Sequence, residues 1–257
     1  MGEVWESGDA YEPYVGRWSR LVATKFLDWL DLVPQKRWLD VGCGTGALSA
    51  AILARYEPAS LLGIDPSPAY VGWAGAQIQD PRAHFATGDA TNLPNESFDV
   101  VVSGLVLNFV PDPNAAVMAM RNVAPKGVVA AYVWDYSGRM ELMRHFWDAA
   151  VALDPAAAEL DEGRRFEICR PERLESIWRD AGFTEIKTQA IDVPTVFRDF
   201  DDYWSPFLGG QAPAPGYAMS LDVEHREALR DRIRSGLPES SDGSIPLIAR
   251  AWAVQGR

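Results

Sequence analysis

Trp38-Leu39-Asp40-Val41-Gly42-Cys43-Gly44-Thr45-Gly46 is the stretch on which the fold of this chain turns. An apolar run ends in a carboxylate, passes through alternating glycines and opens a helical pattern over 46–56, so it reads as strand, tight turn and helix. Glycine at those positions lets backbone approach a ligand closely. A dinucleotide fingerprint would place its third glycine one residue later, at Ala47, and would hold a pyrophosphate on the helix N-terminus. Asp40, directly ahead of the glycines, opposes a phosphate and suits a ligand with a cationic amino group, since opposite charges in a partly buried cleft attract.

Outward from this turn, short apolar runs alternate with helical patterns. Strands are expected at Arg37 to Val41, Leu61 to Asp65, Ala83 to Thr87, Asp99 to Ser103 and Gly127 to Trp134, with helices near 46–56, 67–79 and 112–123. The runs are too uniformly apolar for a sheet with one wet face, so a parallel sheet with helices on both faces follows. Beyond residue 135 the rhythm changes. An aromatic helical stretch from Met140 to Leu153 and a charged segment, Glu159 to Arg165, read as an insertion above the sheet. Pro171 opens a short amphipathic helix, Thr184 to Val193 alternates as a sixth strand, and Ile245 to Val254 makes a seventh after a helix from Val223 to Leu237. The 209–216 run reads as a loop, and the aromatic segment Phe197 to Leu221 is expected over the functional edge of the sheet.

Two further carboxylates close neighbouring strands. Asp65 stands where α/β nucleotide folds place an acid for the ribose hydroxyls, and Pro66 stops its strand. Asp89 closes the third strand, where it suits an exocyclic amine while the following N–H meets a ring nitrogen.

Composition narrows the class. The chain has 257 residues, 47% hydrophobic and 23% charged, enough for a sizeable core, and its formal net charge of −12 disfavours nucleic acid and anionic membrane as partners. No run approaches a membrane span and no leader pattern opens the chain. Two cysteines, Cys43 and Cys169, make neither a disulfide scaffold nor a cysteine metal site, so a cytoplasmic protein without a metal is expected.

The ordered set of motifs resembles the class I S-adenosylmethionine-dependent methyltransferases of bacterial small-molecule type, over most of the chain. Asp40 to Gly46 is similar to that family's first motif, Asp65 to its ribose acid, Gly88-Asp89-Ala90 to its adenine motif, and Phe98 to Leu107 to its fourth strand and active-site edge. The resemblance implies a Rossmann-like α/β fold: a seven-stranded, mostly parallel sheet with the last strand antiparallel, helices on both faces and helical lid insertions. It implies one methyltransferase domain over 1–257, with a cofactor-covering helical segment at 1–36, a binding core at 37–135 and lid or substrate insertions at 139–170 and 197–240. S-adenosyl-L-methionine is the implied cofactor, leaving as S-adenosyl-L-homocysteine. Gly42, Cys43, Gly44 and Gly46 would shape the loop beneath the methionine portion, and Asp40 would orient its amino group. Asp65 would hold the ribose, Pro66 and Ser67 would pack along the adenosine, and Asp89 and Ala90 would read adenine. Leu105 and Val106 would pass beside the methyl group. Tyr14 and Arg17 lie in an N-terminal segment similar to one that folds over the cofactor in a bacterial subgroup, where Arg17 would pair with the methionine carboxylate.

Methyl transfer needs alignment and exclusion of water more than a nucleophile. A base helps if the acceptor is a hydroxyl; His145, Asp135, Tyr136 and the orienting amide of Asn108 are the residues available, and they form no recognisable dyad. The sequence after strand four, Ser103 to Phe109, lacks the pattern by which relatives acting on DNA amines hold their base, the arginine-modifying glutamate pair and a carboxylate triad for magnesium are also missing, and a small-molecule acceptor remains. The inserted segments also offer a homodimer contact. The competing readings are a non-catalytic cofactor-binding or regulatory module and, third, a nicotinamide-dependent oxidoreductase.

Overall fold

The structure, a computed structural model, describes residues 16–209 and 212–257. Its seven strands are β1 (Arg37–Val41), β2 (Ser60–Asp65), β3 (Ala83–Thr87), β4 (Val100–Gly104), β5 (Val128–Trp134), β6 (Lys187–Phe197) and β7 (Ile245–Gly256). They form one sheet in the order β3-β2-β1-β4-β5-β7-β6. Pairing is parallel from β3 through β5. Antiparallel pairing enters with the last strand, where Ala249 bridges Met140, so the fold class expected from the sequence holds.

Central strands are buried on both faces. Every residue of β5 and four of five in β1 and β4 are buried, as largely apolar, Val-rich runs require under helices on two sides. The edge strands β3 and β6 alternate or lie open. Between them run α1 (Arg17–Leu30), α2 (Ala47–Tyr56), α3 (Pro68–Gln77), α4 (Pro113–Val123), α5 (Glu141–Leu153), α6 (Glu162–Arg165), α7 (Pro171–Asp180), α8 (Phe200–Trp204), α9 (Pro213–Ser220) and α10 (Val223–Gly236).

Two elements differ from the sequence reading. β6 begins at Lys187 and continues to Phe197, because Thr184 is bonded to the carbonyl of Arg257 and Pro194 is tolerated on an edge strand. The 209–216 run is not all loop: Pro213 stands at the first turn of α9, where a missing N–H and a fixed φ suit a helix start.

The chain divides into two compact units, each considered by itself. The sheet unit comprises Ser19–Val133, Ile168–Ile191 and Ala251–Arg257. The aromatic unit comprises Trp134–Glu167, Asp192–Arg250 and the segment ending at Trp18. Of the insertions expected at 139–170 and 197–240, residues 139–167 and 197–240 belong to the latter and residues 168–170 to the sheet unit. Its centre is a set of buried rings: Phe146 stacks on Phe207 at 4.5 Å and meets Trp147 edge-on at 5.1 Å. Trp147, Trp204 and Phe207 are buried within it as packing residues. Tyr203 donates its hydroxyl to the Leu142 carbonyl at 2.9 Å, which joins α8 to α5.

Candidate functional site

In the sheet unit, β1 has β2 on one side and β4 on the other, so successive crossovers leave in opposite directions from its C-terminal end. Open α/β sheets bind ligands at such a point. The glycine loop sits there. Gly42 and Cys43 donate their N–H groups to the Ile64 carbonyl at 2.8 and 2.9 Å, and Gly46 donates to the Cys43 carbonyl at 2.8 Å. Gly44 donates to the Asp65 carboxylate at 3.0 Å. With these four amides matched internally, the loop is not the set of open donors that a pyrophosphate needs.

Each glycine has its own reason. Gly42, at φ +76°, lies against Val106: a Cβ would fall 2.5 Å from that side chain. Gly46, at φ +88°, leaves room for Ile78 and Ala74 at the start of α2. Gly44, at φ +52°, faces open space, with no heavy atom within 4 Å of where a Cβ would stand.

Three carboxylates close β1, β2 and follow β3. Asp40 is buried; Ser49 of α2 donates to its Oδ2 at 2.6 Å while Oδ1 is buried without a partner among the described residues. Burial pushes its pKa up to about 7 against the help of Ser49, and the charge of Asp65 adds to the rise. Asp65 is itself raised by burial, opposed by N–H bonds from Ser67 at 2.9 Å and Gly44. Asp89 is exposed and held below the usual carboxylate range by the Thr91 hydroxyl and N–H, at 2.6 and 2.7 Å. Gly88 donates to the Asp65 carbonyl at 3.1 Å, which ties the Asp89-Ala90 turn to the end of β2. Cys43 packs near Gly63; burial, then the two acids, push its thiol pKa up, which makes it an inert loop residue.

At the end of β4, Leu105 adopts φ +62°, a conformation rare for a branched side chain, and is fixed by a bond from its N–H to the Tyr132 carbonyl at 2.8 Å. That turn sends Val106 against Gly42. Asn108 follows in a 3-10 turn, with its Nδ2 buried and unpartnered among the described residues. Ser67, expected along the adenosine, caps α3 by accepting from the Tyr70 N–H at 3.4 Å, with Pro66 just before it.

The remaining predicted residues lie in the aromatic unit or outside the description. Tyr14 lies outside the described residues. Arg17 pairs through Nη1 with Asp202 at 3.1 Å. Asp135 is buried and accepts from the Arg139 N–H at 3.0 Å within a turn whose Gly138 could not carry a Cβ without meeting that carboxylate at 2.5 Å. His145, on α5, is half-buried, and burial lowers its pKa against the pull of Glu141 and Asp148.

Ser49 and Thr91 were not singled out in the sequence, although each sets the state of an acid. A signal for Ser49 exists: it is the one serine or threonine in Ala47–Tyr56, on the face shared by Leu48, Ile52, Leu53 and Tyr56. A lone polar residue on a buried face implies a buried partner.

The pattern of a methyltransferase domain matches residues 39–131, the segment that carries β1 to β5. A trans-aconitate 2-methyltransferase of Methylobacterium radiotolerans is 30% identical over 240 residues, covering 86% of each chain. The chain belongs to the class I S-adenosylmethionine-dependent methyltransferases. A demethylmenaquinone methyltransferase of Roseiflexus is 32% identical over 60% of this methyltransferase and 71% of its own length. A methyltransferase structure from Bacillus halodurans shares the fold with a TM-score of 0.60 at 14% identity, over 91% of this chain and 97% of that one. S-adenosylmethionine is therefore the cofactor, and this methyltransferase's three acids and open glycine face fit it. No helix among the described residues is long and apolar enough to cross a membrane.

Proposed function

We propose that this methyltransferase alkylates a small-molecule acceptor and that Asp40, Asp65 and Asp89 hold the amino group, the ribose and the adenine of its donor. When bound, S-adenosylmethionine supplies an activated methyl group for in-line displacement. Asp40 Oδ1, buried and lacking a donor among the described residues, accepts from the amino group; this orphaned acceptor, on the strand that leads into the glycine loop, is the observation that carries the reading. Asp65 accepts from the ribose hydroxyls with lone pairs not engaged by Gly44 and Ser67. Asp89 and Ala90 read the adenine edge. Pro66 and Ser67 line the adenosine, and Gly42, Cys43 and Gly46 keep the loop in shape.

Leu105 and Val106 form the apolar wall beside the reacting carbon, and Asn108 orients the acceptor through its unpartnered amide. His145, held neutral by burial, accepts a proton where the acceptor has one to lose. Asp135 serves that function less well because its carboxylate already holds the 135–140 turn.

The test is formation of S-adenosylhomocysteine from S-adenosylmethionine with a mixed acceptor panel, together with calorimetric titration of the product. Binding and acceptor-dependent turnover are expected. Binding without turnover on any acceptor would point to a non-catalytic module.

A further inference from the structure

A buried carboxylate keeps its charge only where neighbouring donors offset the water it has lost. Asp40 is 1% exposed, and most of its surroundings oppose the charge. Burial is the largest of these influences, and the Asp65 carboxylate at the end of β2 adds to it. The Cys43 thiol of the glycine loop is pushed up by burial and by both acids, so it stays protonated and brings no positive charge. β4, on the other side of β1, carries no titratable residue. Arg55, the only basic residue of α2, stands in its last turn and is paired with Asp28 at 3.0 Å.

Ser49 acts in the other direction. It is fully buried on α2, the helix that the glycine loop opens, and its hydroxyl donates to Asp40 Oδ2 at 2.6 Å. Its backbone N–H adds a smaller pull of the same sign. A hydrogen bond to a charged oxygen is roughly twice as strong as one to a neutral oxygen, so this contact favours the anion over the acid. It also fixes one oxygen of the carboxylate and leaves the other, Oδ1, buried without a partner among the described residues. Both residues belong to the sheet unit.

Building on the reading above, we propose that Ser49 is a positioning residue for donor binding: its hydroxyl holds Asp40 in the charged form, with Oδ2 engaged and Oδ1 left for the donor's amino group. Ser49 acts through Asp40, so its effect on the ligand depends on pH. Where Asp40 is already ionised, the hydroxyl meets the same anion in the free protein and in the complex, and donor affinity changes little without it. Where Asp40 is protonated, binding must first expel the proton, and loss of the hydroxyl makes that proton harder to expel. Asp40 titrates at about 7 with Ser49 in place, so the variant lacking the hydroxyl titrates higher.

S-adenosylhomocysteine is titrated by calorimetry into the full chain between about pH 5 and about pH 9, with thermal melts of the ligand-free protein at each pH. Wild type, Ser49→Ala, Ser49→Thr, Asp40→Asn and the Asp40→Asn/Ser49→Ala double variant are compared. The midpoint of the affinity profile should rise by about one pH unit in Ser49→Ala, which leaves it about tenfold weaker than wild type near pH 6 and within about twofold near pH 9. Ser49→Thr, which keeps the hydroxyl, should restore the wild-type midpoint, and in the Asp40→Asn background Ser49→Ala should leave the profile unmoved. In the ligand-free protein the stability gap between wild type and Ser49→Ala should widen as pH rises past about 7, because ionising Asp40 then costs the variant more. If Ser49→Ala does not fold, Ser49→Cys, a weaker donor of similar size, should show a smaller shift of the same sign. An unmoved midpoint in these variants, whether affinity is kept or lost equally at every pH, overturns the proposal and leaves Ser49 a packing residue of α2. A wild type that binds S-adenosylhomocysteine equally at every pH, or not at all, would instead bring down the donor assignment proposed above, and the role of Ser49 with it.

Discussion

The tips of β1 to β3 and the Arg17 corner of the aromatic unit are opposites. At the strand tips the loop amides are matched internally, the charged groups are carboxylates, and the atom left over is an acceptor, Asp40 Oδ1. At the Arg17 corner the atoms left over are donors set among aromatic rings. A site that lacks a donor waits for a cationic or hydroxyl-bearing ligand, and one that lacks an acceptor waits for an anion. The first pattern is written in adjacent residues. The second depends on side chains brought from Arg17 and Phe197, far apart in sequence.

The strongest way to break this contrast is at the loop. Gly42→Val drives a side chain into Val106 at a φ of +76°, so both folding stability and donor binding should fall, the former by roughly 1–3 kcal/mol. Gly44→Val meets no atom, and its cost to the free protein is backbone strain alone, about 1–2 kcal/mol, yet donor binding should vanish. Melting curves with and without S-adenosylhomocysteine separate the pair; a Gly44→Val protein still stabilised by it would show that the open face is not the ligand side.

Asp65→Ala removes the acceptor shared by Gly44, Ser67 and the ribose, and should weaken donor affinity by about 1–3 kcal/mol in calorimetry. An unchanged affinity would detach β2 from the site.

Asp40 sharpens the comparison through pH. Its folded pKa, about 7, lies above the ordinary 3.8, so ionising it destabilises the free protein progressively as pH rises between those values. Asp40→Asn should therefore gain stability relative to wild type across that window. Binding a cationic amino group needs the carboxylate, so donor affinity should be full above about pH 7 and fall, by at most about tenfold per unit, below it. A wild-type profile flat from pH 5 to about 8, or one retained by Asp40→Asn, contradicts this assignment.

The smallest effect belongs to the aromatic unit. Tyr203→Phe loses one buried bond to the Leu142 carbonyl and should lower stability by about 1 kcal/mol with no change in donor affinity, read by denaturant melts and titration.

Legibility followed the same divide. β1 and β3 have the bounds expected from apolar runs and their glycine or proline punctuation, because strand period and turn chemistry are local. Asp40, Asp65 and Asp89 could be placed at strand ends for that reason. Their states could not: the raised pKa of Asp40 comes from burial and from Ser49, and the exposed, anionic Asp89 from Thr91, and neither partner follows from a motif. The extension of β6 to Phe197 and the helix at Pro213–Ser220 were hidden because Pro194 and the Pro-Gly composition there read as breaks, while an edge strand and a first helical turn both admit proline. The ring packing of Phe146, Trp147 and Phe207 has no sequence period at all.

Calorimetric titration of the wild-type protein with S-adenosylmethionine and, separately, with reduced nicotinamide adenine dinucleotide tests the central claim most directly. One equivalent of the sulfonium donor should bind and the dinucleotide should give no heat. Binding of the diphosphate, or silence with the donor, would contradict an acid-rimmed edge made for a cationic nucleoside.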